Sequence, residues 1–199
     1  MSYRKVGDAS LTTVADAIRA KGGTTSAMVF PDGFVDAVNA IYDYEADLKS
    51  IIEKNPTTPK LPAGLTYIGQ YTFFGCSDLK LTELPPGITV IDDYAFFACE
   101  SLALTELPAG VTSIGSLAFY SCALRITELP ASLTSIDSNA FRNNITLTTL
   151  TFKSKTVTIA SNAFEKCRNL TKINVPWSEG AVSGAPWGAT NATINYDYV

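Results

Sequence analysis

Apolar positions recur along this chain with a long period, not a helical or strand one. Five segments share the order Leu-Thr-x-Ile or a close variant, four further residues, Phe, two residues, and then Cys or Asn. The phenylalanines are Phe73, Phe96, Phe119, Phe141 and Phe164, separated by 23, 23, 22 and 23 residues. Ile68, Ile91, Ile114, Ile136 and Ile159 keep the same register five residues earlier, and Leu61-Pro62, Leu84-Pro85, Leu107-Pro108 and Leu129-Pro130 open successive units. A single deletion after Cys122 accounts for the short step. Such self-similarity is the signature of a solenoid, in which each unit leaves its apolar face to be buried by the next. The pattern predicts about five coils over residues 61–176.

Cys76, Cys99, Cys122, Asn144 and Cys167 fall on one rung. A small polar group repeated at a turn bonds backbone that the turn leaves unpaired. Disulfides or a metal cluster are the alternative. One thiol per coil suits neither the paired spacing of zinc sites nor a nucleophile, which needs a base beside it. Free structural thiols are expected.

Before the repeat, Leu11, Val14, Ala15 and Ile18 have helical spacing, ended by Gly22-Gly23. Ala27 to Phe30 reads as a strand, and a second helix is predicted from Phe34 to about Lys54. In that helix Phe34, Ala37, Ile41, Tyr44, Leu48 and Ile51 take a and d positions. Two outcomes stay open. The helix joins copies of the chain in a homo-oligomer, most naturally a trimer, through Phe34, Ile41, Leu48 and Ile51, or it folds back on its own chain. Residues 1–60 are thus expected to form a small helical attachment or capping unit.

A solenoid end exposes strand edge and core, and residues 177–199 read as its closure. Trp187 lies 23 residues after Phe164 and is assigned the next Phe slot, and residues 193–198 alternate as a final strand does. Carbohydrate-stacking platforms are the alternative reading of Trp177 and Trp187.

Composition narrows the function. The 199 residues hold no histidine, which removes the commonest general base and zinc ligand, and a net charge of −4 lacks the basic patch of a nucleic-acid binder. No calcium loop, phosphate loop or catalytic carboxylate pair is found; Asp92-Asp93 and Asp43-Glu45 come nearest. A non-enzymatic protein without cofactor or metal is expected. The first residues are polar and no apolar run approaches bilayer length, so synthesis in the cytoplasm without a signal peptide and no membrane insertion are expected.

The segments Leu65-Thr66-Tyr67-Ile68 with Phe73-Phe74-Gly75-Cys76, and Val111-Thr112-Ser113-Ile114 with Ala118-Phe119-Tyr120-Ser121-Cys122, resemble BspA-type leucine-rich repeats. The resemblance implies short strands stacked into a parallel sheet, with turns and short helical pieces opposite, the Ala-Phe-x-x-Cys stretch being the helical turn. It also implies protein–protein or surface adhesion in place of catalysis. The stretch from Ala15 to Gly23 with Phe30-Pro31-Asp32-Gly33-Phe34, and the ending Val175-Pro176-Trp177 with Pro186-Trp187-Gly188, are similar to segments of tail-associated proteins of phages and prophages of Gram-positive bacteria. They imply a virion-associated protein.

Two outward columns flank each Ala-Phe pair, three residues apart as on one helical face. One reads Tyr71, Tyr94, Leu117, Asn139, Asn162, and the other Phe74, Phe97, Tyr120, Arg142, Glu165. Tyr71, Phe74, Tyr94, Phe97, Leu117 and Tyr120 therefore make one candidate binding patch, unless the N-terminal helices cover it. Thr66, Thr89, Thr112 and Thr134 form a further ladder, read as stabilising, with a glycan face as the alternative. The leading expectation is a tail- or baseplate-associated binding protein that recognises a host-surface component or another virion protein. A bacterial adhesion module and an intracellular phage effector that blocks a host protein are the alternatives.

Overall fold

The computed structural model describes Leu61 and residues 63–198, which all fall within one compact unit. The expected N-terminal helices, the strand at 27–30 and the seam of Phe34, Ile41, Leu48 and Ile51 lie outside the described residues.

The isoleucine rung forms as expected. Strands β1 (Tyr67–Ile68), β2 (Val90–Ile91), β3 (Ser113–Ile114), β5 (Ser135–Ile136) and β7 (Thr158–Ile159) pair in parallel, each isoleucine directly opposite the next. In each strand the first residue faces out and the isoleucine is buried, as the two-residue pleat requires. Two-residue strands are too short to persist alone. They persist because each coil closes the open edge of its neighbour.

One sheet was expected and two are present. Strands β4 (Glu128–Leu129), β6 (Thr149–Phe152), β8 (Lys172–Asn174) and β9 (Thr193–Asn195) form a second parallel sheet. Its length shows that the coiling continues past the fifth phenylalanine into a sixth, atypical coil. In the first coils the equivalent stretch keeps only scattered bonds, such as Ala103 N–H to Leu81 O at 3.1 Å.

The expected helical turn is corrected. No helix exists among the described residues. Tyr71, Tyr94, Leu117 and Asn139 have φ of 60, 55, 56 and 57°, and a second left-handed residue follows four positions later: Gly75, Ala98, Ser121 and Asn143, at 72, 56, 54 and 62°. A left-handed residue on each side of Ala-Phe stops any helix from forming. The gain is lateral bonding. The N–H groups of Phe73, Phe96, Phe119 and Phe141 donate to the carbonyls of Ala95, Ala118, Ala140 and Ala163 in the next coil at 2.8–2.9 Å. A helix would have used those donors within its own coil.

The five phenylalanine rings stack at 5.0–5.5 Å with interplanar angles of 2–16°, and all are fully buried. Between the coils, Gly115 passes so close to its neighbour that a Cβ there would lie 2.5 Å from the Asp93 nitrogen.

The last segment adds β9 to the second sheet, and the place of Trp187 within it is corrected. Phe164 N–H donates at 2.9 Å to the carbonyl of Trp187, which therefore takes the rung held by alanine in earlier coils, not the phenylalanine rung. One inserted residue produces this shift. The indole is fully buried, donates from Nε1 to Ser183 O at 2.8 Å, and meets Phe152 and Trp177 at 6.0 and 6.4 Å. Trp177 is buried too. Neither offers a sugar an open ring face.

Candidate binding surface

The turn that replaces the helix still places the two outward columns side by side. Phe74 N–H bonds Tyr71 O, Phe97 N–H bonds Tyr94 O, and Tyr120 N–H bonds Leu117 O, each at 3.2 Å. A closed β-turn brings its first and fourth residues together, so the three-residue spacing survives on different geometry. Tyr71 stacks on Tyr94 at 4.9 Å, Phe74 on Phe97 at 4.7 Å, and Phe97 on Tyr120 at 4.6 Å. Between columns, Tyr71 meets Phe74 edge-on at 5.7 Å and Tyr94 meets Phe97 at 5.8 Å. Five rings form one array, with Leu117 at the equivalent backbone position of the third coil.

Exposure is graded along it. Tyr71 and Phe74 are 47% and 49% exposed, whereas Tyr94, Phe97, Leu117 and Tyr120 are half-buried. The array ends where the columns turn polar: Arg142 donates to Asn139 Oδ1 at 3.3 Å and pairs with Glu165 at 3.5 Å.

Tyr67 belongs to the same exposed end and was not legible as a site residue. It is 48% exposed, and its hydroxyl donates to the Asp92 carboxylate of the next coil. A strand residue and a turn residue 25 positions apart share no column, so no sequence register pairs them. That hydrogen bond first, then partial burial and the charges of Asp92 and Asp93, push the phenol up to about 12. The fold thus favours the neutral, donating form. Its contribution to stability is full below the ordinary phenol value near 10 and is lost as pH rises toward 12. Difference absorbance titration against Tyr67→Phe should show one phenol ionising near pH 12, which returns toward 10 in Asp92→Asn. An unchanged midpoint in Asp92→Asn would show the bond is not its cause.

The threonine ladder lies on the surface but bonds within the scaffold. Thr89, Thr112 and Thr134 hydroxyls donate to the Thr66, Thr89 and Thr112 carbonyls at 2.9–3.1 Å. Their protons are engaged and offer a glycan no donor.

The cysteine rung does what its spacing predicted. Cys99, Cys122 and Cys167 thiols donate to the Phe73, Phe96 and Phe141 carbonyls of the preceding coil at 3.0, 3.2 and 3.0 Å. Asn144 serves Phe119 O at 2.6 Å in the same way. All four cysteines are free, and burial pushes the Cys122 and Cys167 thiols up to about 12 and Cys99 higher still. Buried neutral thiols are inert. Under native conditions at about pH 8, a thiol-reactive disulfide should label Cys76 first, because it alone is half-buried, and the other three only on unfolding. Rapid labelling of Cys122 in the folded protein would contradict the ladder.

Among the described residues, no group of three or more His, Cys, Asp or Glu could hold a metal ion. No helix among them is long and apolar enough to cross a membrane.

Comparison with known proteins agrees with this geometry. The BspA type leucine rich repeat region matches residues 66–183, in six copies. No curated protein matches the chain significantly. Two solved structures are similar. A leucine-rich repeat protein from Bacteroides ovatus superposes with a TM-score of 0.51 at 24% identity, over 62% of this chain and 32% of its own. The T. pallidum leucine-rich repeat protein superposes with a TM-score of 0.54 at 24% identity, over 70% of this chain and 69% of its own. The match thus spans about a third of the Bacteroides ovatus protein. At this identity both likenesses speak to fold alone.

Proposed function

The chain belongs to the BspA type leucine-rich repeat family, and from that premise we propose that it is a non-enzymatic, protein-binding component of a phage or prophage particle. In this reading it sits in the tail or baseplate and recognises a host-surface component or another virion protein through the aromatic array. The observation that carries the binding role is the array itself. Tyr71, Phe74, Tyr94, Phe97 and Tyr120 form one continuous set of stacked rings, and its first two members are about half exposed. A contiguous exposed apolar patch on a water-facing surface marks a contact site. Large rings on a rigid scaffold lose little entropy on contact, which is why aromatic side chains dominate binding energetics. The lack of histidine and the inert thiols favour binding over catalysis. The virion setting rests on the likeness of residues 15–34 and 175–194 to segments of tail-associated proteins.

Two measurements test this reading. Mass spectrometry of purified particles should find the chain at stoichiometry with tail proteins; its absence from particles sinks the virion role. Phe97→Ser with Tyr120→Ser should weaken adhesion to particles or host cells by roughly 30-fold or more, as expected when central aromatics are truncated. Undiminished adhesion by a variant with native circular dichroism sinks the array as the binding face.

A further inference from the structure

The array lies at the acidic end of the solenoid. Residues 63–124 carry six carboxylates, Asp78, Glu83, Asp92, Asp93, Glu100 and Glu106, against a single cation, Lys80. Residues 125–198 reverse the balance, with seven Lys and Arg against five Asp and Glu. The net −4 of the chain is therefore not evenly spread. Several of the carboxylates lie within four residues of the ring positions along the chain. Asp93 precedes Tyr94, its backbone carbonyl accepts the Tyr71 N–H at 3.1 Å, and its carboxylate accepts the Ser116 N–H at 2.7 Å. Asp78 and Glu100 follow Phe74 and Phe97 by four and three residues, are exposed, and make no ion pair among the described residues. Charges this near act on a docked partner within the screening length of about 8 Å at physiological salt.

The rings add a second constraint. Interplanar angles of 6, 7 and 18° at 4.6–4.9 Å mean that neighbouring rings cover one another's faces. What the array presents along its length is ring edge, which carries the positive part of the quadrupole. A sugar packs on a ring face, so edges suit it poorly. Rings at the column ends each keep one face with no stacked ring among the described residues: Tyr71 and Phe74 at the first coil, where exposure is greatest, and Tyr94 and Tyr120 where Leu117 and Arg142 follow. An open ring face attracts a cation.

From these two observations we infer that the occupant of the array is a cationic protein segment. Its apolar or aromatic side chains lie against the ring edges, its Lys or Arg groups lie beside Asp78, Asp93 and Glu100, and one cation stacks on Tyr71 or Phe74. The inference rests on the proposed binding role of the array and adds the chemistry of the partner. The same field disfavours anionic surface polymers.

The test uses the full chain and three fluorescent probes: a peptide alternating Leu and Lys, its Leu and Glu counterpart, and polyglycerol phosphate. At about 50 mM salt the Lys peptide should bind at least ~10-fold tighter than either anionic probe, and its affinity should fall as salt rises. Asp78→Asn with Glu100→Gln should weaken it about 5-fold or more, and Phe97→Ser with Tyr120→Ser should weaken it similarly. Glu128→Gln with Glu179→Gln changes net charge equally but lies away from the array, and should leave binding unchanged. Equal weakening by this control pair would reduce the effect to diffuse attraction and overturn the inference. Preference for polyglycerol phosphate would overturn it as well. In the particle and host-cell adhesion assay, loss with the ring variant but not with the Asp78/Glu100 variant refutes the cationic partner and leaves the binding role standing. Loss with neither refutes both.

Discussion

Replacing Phe119 with Ala is expected to cost about 3–5 kcal/mol, the upper range for truncating a buried aromatic side chain. Phe119 is fully buried at the centre of the column, with Phe96 at 5.4 Å on one side and Phe141 at 5.5 Å on the other. Removing the ring opens a void between two coils, and neither can collapse into it. Each is held in place by the lateral bonds at Phe96 N–H to Ala118 O and Phe119 N–H to Ala140 O, both 2.8 Å. In a solenoid whose stability is a sum of neighbour interfaces, a central defect damages two interfaces at once. Urea unfolding followed by circular dichroism measures the loss, and less than about 1 kcal/mol would contradict the place of Phe119 in the core.

The phenylalanine and isoleucine columns, and the paired outward columns, were legible because stacking turns sequence spacing directly into spatial adjacency. A period of 22–23 residues is a ruler that works on one chain alone. What the ruler does not report is backbone handedness. Asn139, Asn143 and Gly75 are residues that tolerate positive φ, but their equivalents Tyr94, Leu117, Ala98 and Ser121 are not. Identity alone therefore favoured a helical turn. The left-handed positions are imposed by the lateral bonds of the next coil, and a tertiary cause of that kind overrides local preference. The second sheet escaped for a related reason: Leu79, Leu81 and Leu84 show no strict alternation, and the pairing becomes regular only at β6. Spacing puts Trp187 one rung off, because it counts residues and cannot see an insertion that leaves the bonding ladder in step.

Asn144 is the position where the ruler and the chemistry meet, and it carries the second large effect. Its amide donates to Phe119 O at 2.6 Å and to Phe141 O at 2.8 Å, while its Oδ1 is buried without a partner. In the other coils the phenylalanine carbonyl also accepts the N–H of its own cysteine, as Phe73 O does from Cys76 and Phe96 O from Cys99. The short coil after Cys122 shows no such bond to Phe119 O, so this carbonyl depends on Asn144. Asn144→Ala should therefore cost about 2–3 kcal/mol, the penalty of a buried acceptor left unsatisfied plus a small void. Asn144→Cys restores the single donor used at Cys99, Cys122 and Cys167 and removes the orphaned Oδ1. Its cost should stay within about 1 kcal/mol, since one hydrogen bond is exchanged for another. Parallel urea melts of the two variants decide the matter: an alanine as mild as the cysteine would mean that Phe119 O finds its partner elsewhere and that the rung is not a hydrogen-bonding device.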